Sequence, residues 1–293
     1  MTDFFANFLN PEKRLFVGYL ISAAFIAVIW IRMVQKKPLA NIVSGFFNSN
    51  VWFSKSAIGD YKLMVFNQFF IKLLAPILVG QLALTLFVFE NMHLLFSRPS
   101  ASVPVWIVML IFTSVLFILD DFSRYLLHRL MHRIPLLWKF HKAHHSATNL
   151  TPLTVLRTHP IEAVLFSFRA VIVHSLCLGV CFFFFAGSVS LIEIFGSSMF
   201  VVIFHSLGSN LRHSHVNLSY WNWLEKILVS PAQHQIHHSI NPKHYDSNFG
   251  AILAIWDNLG RSCIVSEKNQ EIEFGLKDQS EKAHNLKNLI IGS

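Results

Sequence analysis

The stretch VPVWIVMLIFTSVLFILDDFSRYLLHRLMHRIPLLWKFHKAHH, residues 103–145, decides how this chain is read. Residues 103–119 are apolar enough to lie in lipid, and they lead straight into Asp120 and Asp121. Five histidines follow: His128, His132, His141, His144 and His145. Histidines three or four apart on a helix share one face, and neutral imidazole is the commonest metal ligand. An apolar helix running into clustered imidazoles predicts a metal site at the end of a membrane span.

The rest of the chain agrees. Of 293 residues, 53% are hydrophobic and 14% charged, and 29 are Phe. With a mean hydropathy of +0.48, this is too apolar for an ordinary soluble domain. Segments 15–31, 73–89, 163–186 and 189–207 are further spans, near the 20 or so apolar residues a bilayer needs. Pro76 sits early in the second, and Gly187-Ser188 supplies a turn between the last two. Arg169 and Glu193 lie inside that pair, where charges face protein or snorkel. The expectation is an all-α integral membrane bundle of about four to five spans with a cytoplasmic, histidine-rich helical cap. Residues 1–102 form the anchor region. Residues 103–265 form the histidine domain with a transmembrane hairpin at 163–207, and residues 266–293 form a cytoplasmic tail.

A net charge of +8 raises nucleic acid as a partner. The basic residues instead flank apolar runs, which fits a membrane partner and no nucleic acid. Arg32, Lys36, Lys37, Lys55, Lys62 and Lys72 crowd the segment after the first span, whereas only Arg98 lies between the second and third. The positive-inside rule makes the first of these segments cytoplasmic and the N-terminus external. Even numbers of crossings then bring every histidine cluster out in the cytoplasm. Asp3 and Glu12 before the first apolar run predict an uncleaved anchor. The absence of a KDEL-type ending favours a bacterial inner membrane over an endoplasmic reticulum. Cys177 and Cys181, one turn apart in an apolar run, read as small buried hydrophobes.

A second HxxHH group, His234-Gln-Ile-His237-His238, repeats the spacing of His141-Lys-Ala-His144-His145. His213 is a candidate ninth ligand. A single HxxxH is more often a packed or solvated pair, but three boxes in one compartment are not. Structural zinc uses four ligands and catalytic zinc usually three, so eight or nine histidines imply two ions. An all-nitrogen shell suits iron, zinc, copper or nickel. Asp121 precedes His128 by two turns on the same face, where a carboxylate could hold an imidazole tautomer. Tyr125, His159, His205, His215, His244, Asp246 and Asn248 are further candidates to ligate or to support a ligand. Glu162 is the nearest candidate general base. His93, His174 and His284 read as structural or exposed.

The ordered boxes resemble those of the fatty acid hydroxylase/sterol desaturase superfamily of membrane di-iron oxygenases. The carrying segments are Asp121 to His132, His141-Lys-Ala-His144-His145-Ser146, Arg157-Thr-His159-Pro160-Ile-Glu162 and Ser230-Pro-Ala-Gln-His234-Gln-Ile-His237-His238. Asp246-Ser-Asn248-Phe-Gly250 and Trp256-Asp257-Asn-Leu-Gly260 resemble the closing segment. The resemblance implies two iron ions on eight or more histidines and O2 as co-substrate. It implies hydroxylation or desaturation of a lipid C–H bond, fatty acyl, sterol or related. It also implies a separate electron donor, such as a reductase with cytochrome b5 or ferredoxin. His213 fits the superfamily's histidine before the last box. Two other classes compete: a zinc-dependent membrane hydrolase and a metal transporter.

Overall fold

A computed structural model describes residues 2–70, 75–97, 103–185, 199–267, 270–277 and 279–291. Among them the chain is helical, with two isolated β-bridges and no strand. The N-terminal part forms α1 (Thr2–Leu9), α2 (Val17–Met33), α3 (Leu39–Phe46), α4 (Ser49–Trp52), α5 (Lys55–Phe70) and α6 (Ala75–Leu95). The histidine-bearing part forms α7 (Val105–Arg133), α8 (Pro135–His145), α9 (Pro160–Phe185), α10 (Met199–Ser206) and α11 (Pro231–His237). Two short helices, α12 (Ile255–Leu259) and α13 (Leu286–Ile291), follow.

Two helices among the described residues, α7 and α9, are long and apolar enough to cross a membrane. The expected first span forms α2, whose 17 residues reach only about 25 Å at 1.5 Å per residue. It buries a stripe of Tyr19, Ala23, Ala27 and Ile31. That stripe packs beside Leu211, Val216 and Leu218, and the Trp30 indole donates to the Asn217 carbonyl at 2.9 Å. Thus α2 packs on the chain around His213. The second span corresponds to α6, described from Ala75. The turn at Gly187-Ser188, Glu193 and most of the fifth span lie outside the described residues; α10 is its described end.

The bundle that carries the site is α6, α7 and α9. Val108 and Phe112 of α7 pack on Cys177, Leu178 and Cys181 of α9, so both α9 cysteines act as small buried hydrophobes. Gly179 lets α9 approach α6 closely: a Cβ there would lie 2.6 Å from Val88 Cγ1. Arg169, charged inside an apolar helix, pairs with Asp120 of α7 at 2.8 Å. That ion pair offsets the cost of placing either charge there. Leu110, Ile111 and Val115 of α7 and Phe168, Ile172 and Leu176 of α9 remain exposed, an outer surface suited to lipid. The chain's end folds back: Leu289 packs on Leu63 of α5 and Ala143 of α8.

Candidate metal centre

The span 103–119 and the first histidine pair belong to one helix, α7. It stops because Pro135 forbids helical geometry at the preceding residue. Ile134 is extended (φ −101°, ψ 115°), and α8 starts with Pro135 in its first turn. This sharp break turns α8 so that its imidazoles meet those of α7. A capping box fixes the third group. The Ser230 hydroxyl accepts from Gln233 N at 3.1 Å, and the Gln233 side chain accepts from Ser230 N at 3.0 Å. With Pro231 at the helix start, α11 carries His234 and His237 inward.

Nine histidines converge in two groups, and within each group the candidate ligand atoms all lie within 4.8 Å of one another. Site one comprises His128, His132, His141, His145 and His237. Site two comprises His144, His213, His234 and His238. The i, i+3, i+4 spacing puts the histidines of each HxxHH box on one helix face, yet each box splits between the two sites. His141 and His145 go to site one and His144 to site two. His234 and His238 go to site two and His237 to site one. The i,i+4 pair shares a site in each box, and the i+3 residue faces the other, because 100° per residue separates them around the helix.

The tautomers show what these rings want. His128 Nδ1 meets the Phe249 carbonyl at 2.7 Å, and His141 Nδ1 meets Glu162 Oε1 at 2.8 Å. Oxygens of carbonyls and carboxylates only accept, so Nδ1 carries the proton in both rings. Each neutral ring then presents a bare lone pair at Nε2, yet these two Nε2 atoms lie 3.1 Å apart. Two facing lone pairs repel unless a cation sits between them. His237 Nδ1 is likewise held by the Ser247 carbonyl at 2.7 Å, and His144 Nδ1 by the Arg157 carbonyl at 3.3 Å. The buried Nε2 atoms of His132, His237 and His238 have no hydrogen-bond partner among the described residues. Nitrogens bound to one ion at about 2.0–2.1 Å would lie roughly 2.9–3.4 Å apart. The His141–His145, His144–His213 and His213–His234 Nε2 pairs lie 3.2, 3.2 and 3.1 Å apart. The residues present fit a metal at each site.

Burial also keeps the rings in the ligating form. It pushes His144, His145, His213, His234 and His238 well below the ordinary histidine value, with neighbouring imidazoles adding to the shift. Burial lowers His237 to about 3.

The supporting groups differ from those expected. Asp121 does not touch a histidine: it accepts from Ile252 N at 2.9 Å, Leu253 N at 3.0 Å and the Trp256 indole at 2.9 Å. It clamps the closing segment. The carboxylate behind a ring is Glu162, on the Nδ1 side of His141. Asp257 accepts from Phe249 N and Gly250 N at 2.9 and 2.7 Å, holding the chain whose carbonyls meet His128 and His237. Asp246 and Asn248 adopt φ of 56° and 52°, which Asp and Asn tolerate. The Asn248 amide donates to the Gln233 and Ile264 carbonyls, each at 3.0 Å, and Asp246 lies 3.5 Å from Arg133. Tyr125 bonds Arg129 at 2.5 Å.

The remaining candidates fall outside both groups. His159 meets the Ile290 carbonyl at 2.7 Å. His205 bonds the Ser209 hydroxyl at 2.7 Å, exposed His215 lies against Phe46, and His244 is near Gln270. His284 is buried beside Arg157, with Nδ1 3.0 Å from its Nη2. Arg157 pairs at 2.8 Å with Asp60, and neither side chain is exposed. Its Nε donates to the Ala143 carbonyl at 2.8 Å, fixing the last turn of α8.

A cavity of about 310 Å³ opens on site one. His132, His145 and His237 line it with Trp138, Ser239, Tyr245, Asp246, Leu276 and Lys277; no histidine of site two does.

A family model described as fatty acid hydroxylase matches residues 113–262, just over half of the chain. The alkylglycerol monooxygenase of Xenopus tropicalis is 29% identical over 167 residues, covering 53% of this chain and 31% of that protein. The human alkylglycerol monooxygenase is 25% identical over 170 residues, with the same coverages. An ornithine lipid hydroxylase of Rhizobium tropici is 29% identical over 142 residues, 48% of this chain and 38% of that protein. The chain thus spans about a third of the length of these curated relatives, and no solved structure matches. The matched region holds all nine histidines, Glu162 and the closing segment, and the chain belongs to the fatty acid hydroxylase family.

Proposed function

We propose that the protein is a membrane lipid hydroxylase in which site one and site two each hold one iron ion, with O2 as co-substrate. The observation that carries the reading is the pair of imidazole groups with facing lone pairs and orphaned Nε2 atoms. Iron bound there would supply O2 activation, with electrons from a separate donor such as a reductase with cytochrome b5 or ferredoxin. The chain's own residues would do the rest. The carbonyls of Ser247 and Phe249 and the Glu162 carboxylate orient the rings. The cavity on site one leaves room for a substrate C–H bond beside His132, His145 and His237. The named activities of the relatives, on alkylglycerol and on ornithine lipid, favour hydroxylation of a membrane lipid over desaturation. In this reading the imidazoles face the cytoplasm and the protein resides in a bacterial inner membrane. Because Arg14 ahead of α2 and Trp30 near its end both bond the chain around His213, the N-terminal end of α2 belongs on that same side rather than outside. Hydrolysis on zinc loses support because its candidate base, Glu162, lies behind His141, away from Nε2.

Lipid analysis of cells with the wild-type protein, with His237→Ala, and without either tests this. The expected result is a lipid one oxygen heavier only with the wild type. A lipid lighter by two hydrogens instead would make the enzyme a desaturase. No wild-type-dependent change in any lipid would overturn the reading.

A further inference from the structure

A second feature lies beside site two. Arg14, just ahead of α2, reaches into the protein and donates to the Ser209 carbonyl at 3.2 Å. Asn210 holds the backbone there, donating to the Arg14 carbonyl at 3.0 Å. Arg212, 3% exposed, donates to the carbonyls of Ala251 and Val229 and stacks 4.6 Å over Phe204. Neither arginine has a carboxylate within ion-pair distance among the described residues. The buried Nε of each and the Oδ1 of Asn210 lack any partner there. Burial, then the positive charges of Arg212 and Arg124, lower Arg14 to about 9, so its guanidinium still carries its charge at pH 7.

The carboxylates nearby are already committed. Asp120 serves both Arg124 and Arg169, at 2.7 and 2.8 Å. Asp121 is used by the closing segment. Four guanidiniums therefore share two carboxylates, and a buried cation without a counter-charge is costly. Depth also matters. Arg124 is half-exposed on α7, just past the apolar residues 105–119, the level at which lipid headgroups meet a span. Arg14 itself is half-buried.

We propose that Arg14, together with Arg124 and Arg212, binds the phosphate or carboxylate of an anionic lipid headgroup. A planar guanidinium suits either oxyanion in bidentate form. The proposal deepens the lipid hydroxylase reading by naming a headgroup class, and it rests on that reading only for the lipid's being a substrate.

The test is a binding titration of the full chain in a neutral detergent. The probes are dioleoyl phosphatidic acid, oleate, dioleoylglycerol and inorganic phosphate, with bound metal measured in parallel. The wild type should bind phosphatidic acid or oleate at least about tenfold more tightly than dioleoylglycerol, the order of one charge-assisted contact. Arg14→Gln should erase that preference and keep the metal, while Arg14→Lys and the exposed control Lys13→Gln should retain most of it. Competition by inorganic phosphate would show that the site reads the phosphate group itself; lack of competition would show that it needs the attached chain. Equal binding of neutral and anionic lipids by the wild type, or an unchanged preference in Arg14→Gln, would overturn the proposal. Wild type that prefers the anion but holds no metal would leave it standing and sink the metal reading instead.

Discussion

The two imidazole groups are built from the same boxes but are finished differently. In site one, three of five rings have Nδ1 held by an acceptor: Phe249, Glu162 and Ser247. Among the described residues, in site two only His144 has one, the Arg157 carbonyl at 3.3 Å, and the Nδ1 atoms of His213, His234 and His238 are buried without a partner. Site one meets a cavity; site two does not line it. Under the proposed function the contrast would be a division of labour. Site one is oriented and open, suited to face a substrate. The four rings of site two are buried and less tightly oriented.

The largest expected effect comes from removing a ligand. His237→Ala should empty site one and His234→Ala site two, each leaving one ion and abolishing lipid oxidation. Metal analysis beside a product assay checks this, and unchanged metal in both variants would break the comparison. Glu162→Gln should come next. Partners behind ligating histidines are worth about 10–100-fold in metal affinity, so site one should weaken by that order while site two holds. A chelator titration that resolves the two ions would read it; equal weakening of both would erase the asymmetry.

Asp121→Asn should act through the closing segment. It weakens three buried hydrogen bonds, with a stability cost of about 1–3 kcal/mol. Because that segment supplies the carbonyls of Phe249 and Ser247, site one should loosen before site two on thermal unfolding.

The smallest effect is on pH. The rings His144, His145, His213, His234, His237 and His238 are held below the ordinary value of 6.5. In the unfolded chain they take up protons below about pH 6.5, whereas in the fold they stay neutral. The unfolded state then binds more protons, so stability of the metal-free protein should fall as pH drops below 6.5. For His237 the window closes at about 3. Thermal midpoints should be flat from pH 8 to 7 and decline from 6.5 to 5; no decline would contradict neutral burial.

Much of this was legible in the chain. The spacing of the boxes and their number point to two ions, and the resemblance to the superfamily picks out His213 as the ninth ligand. Helical periodicity also contains the split of each HxxHH box, since i+3 and i+4 lie on either side of a common face. What distance along the chain hides is the supporting layer. Asp121 shares a helix face with His128, so it reads as its partner. Its oxygens are taken instead by backbone N–H groups more than 130 residues away. Glu162 follows His141 by 21 residues, and only the fold of the intervening loop brings them together. Hydropathy alone also made α2 a span; its buried Ala23 and Ala27 stripe against residues 211–218 is a tertiary fact.

The central claim is that nine imidazoles form two separate metal sites. Anaerobic iron reconstitution of the detergent-purified protein, followed by counting bound iron per chain, tests it most directly. Two ions in the wild type, falling to one in both His237→Ala and His234→Ala, is the predicted result. A single ion in the wild type that either substitution removes would contradict it.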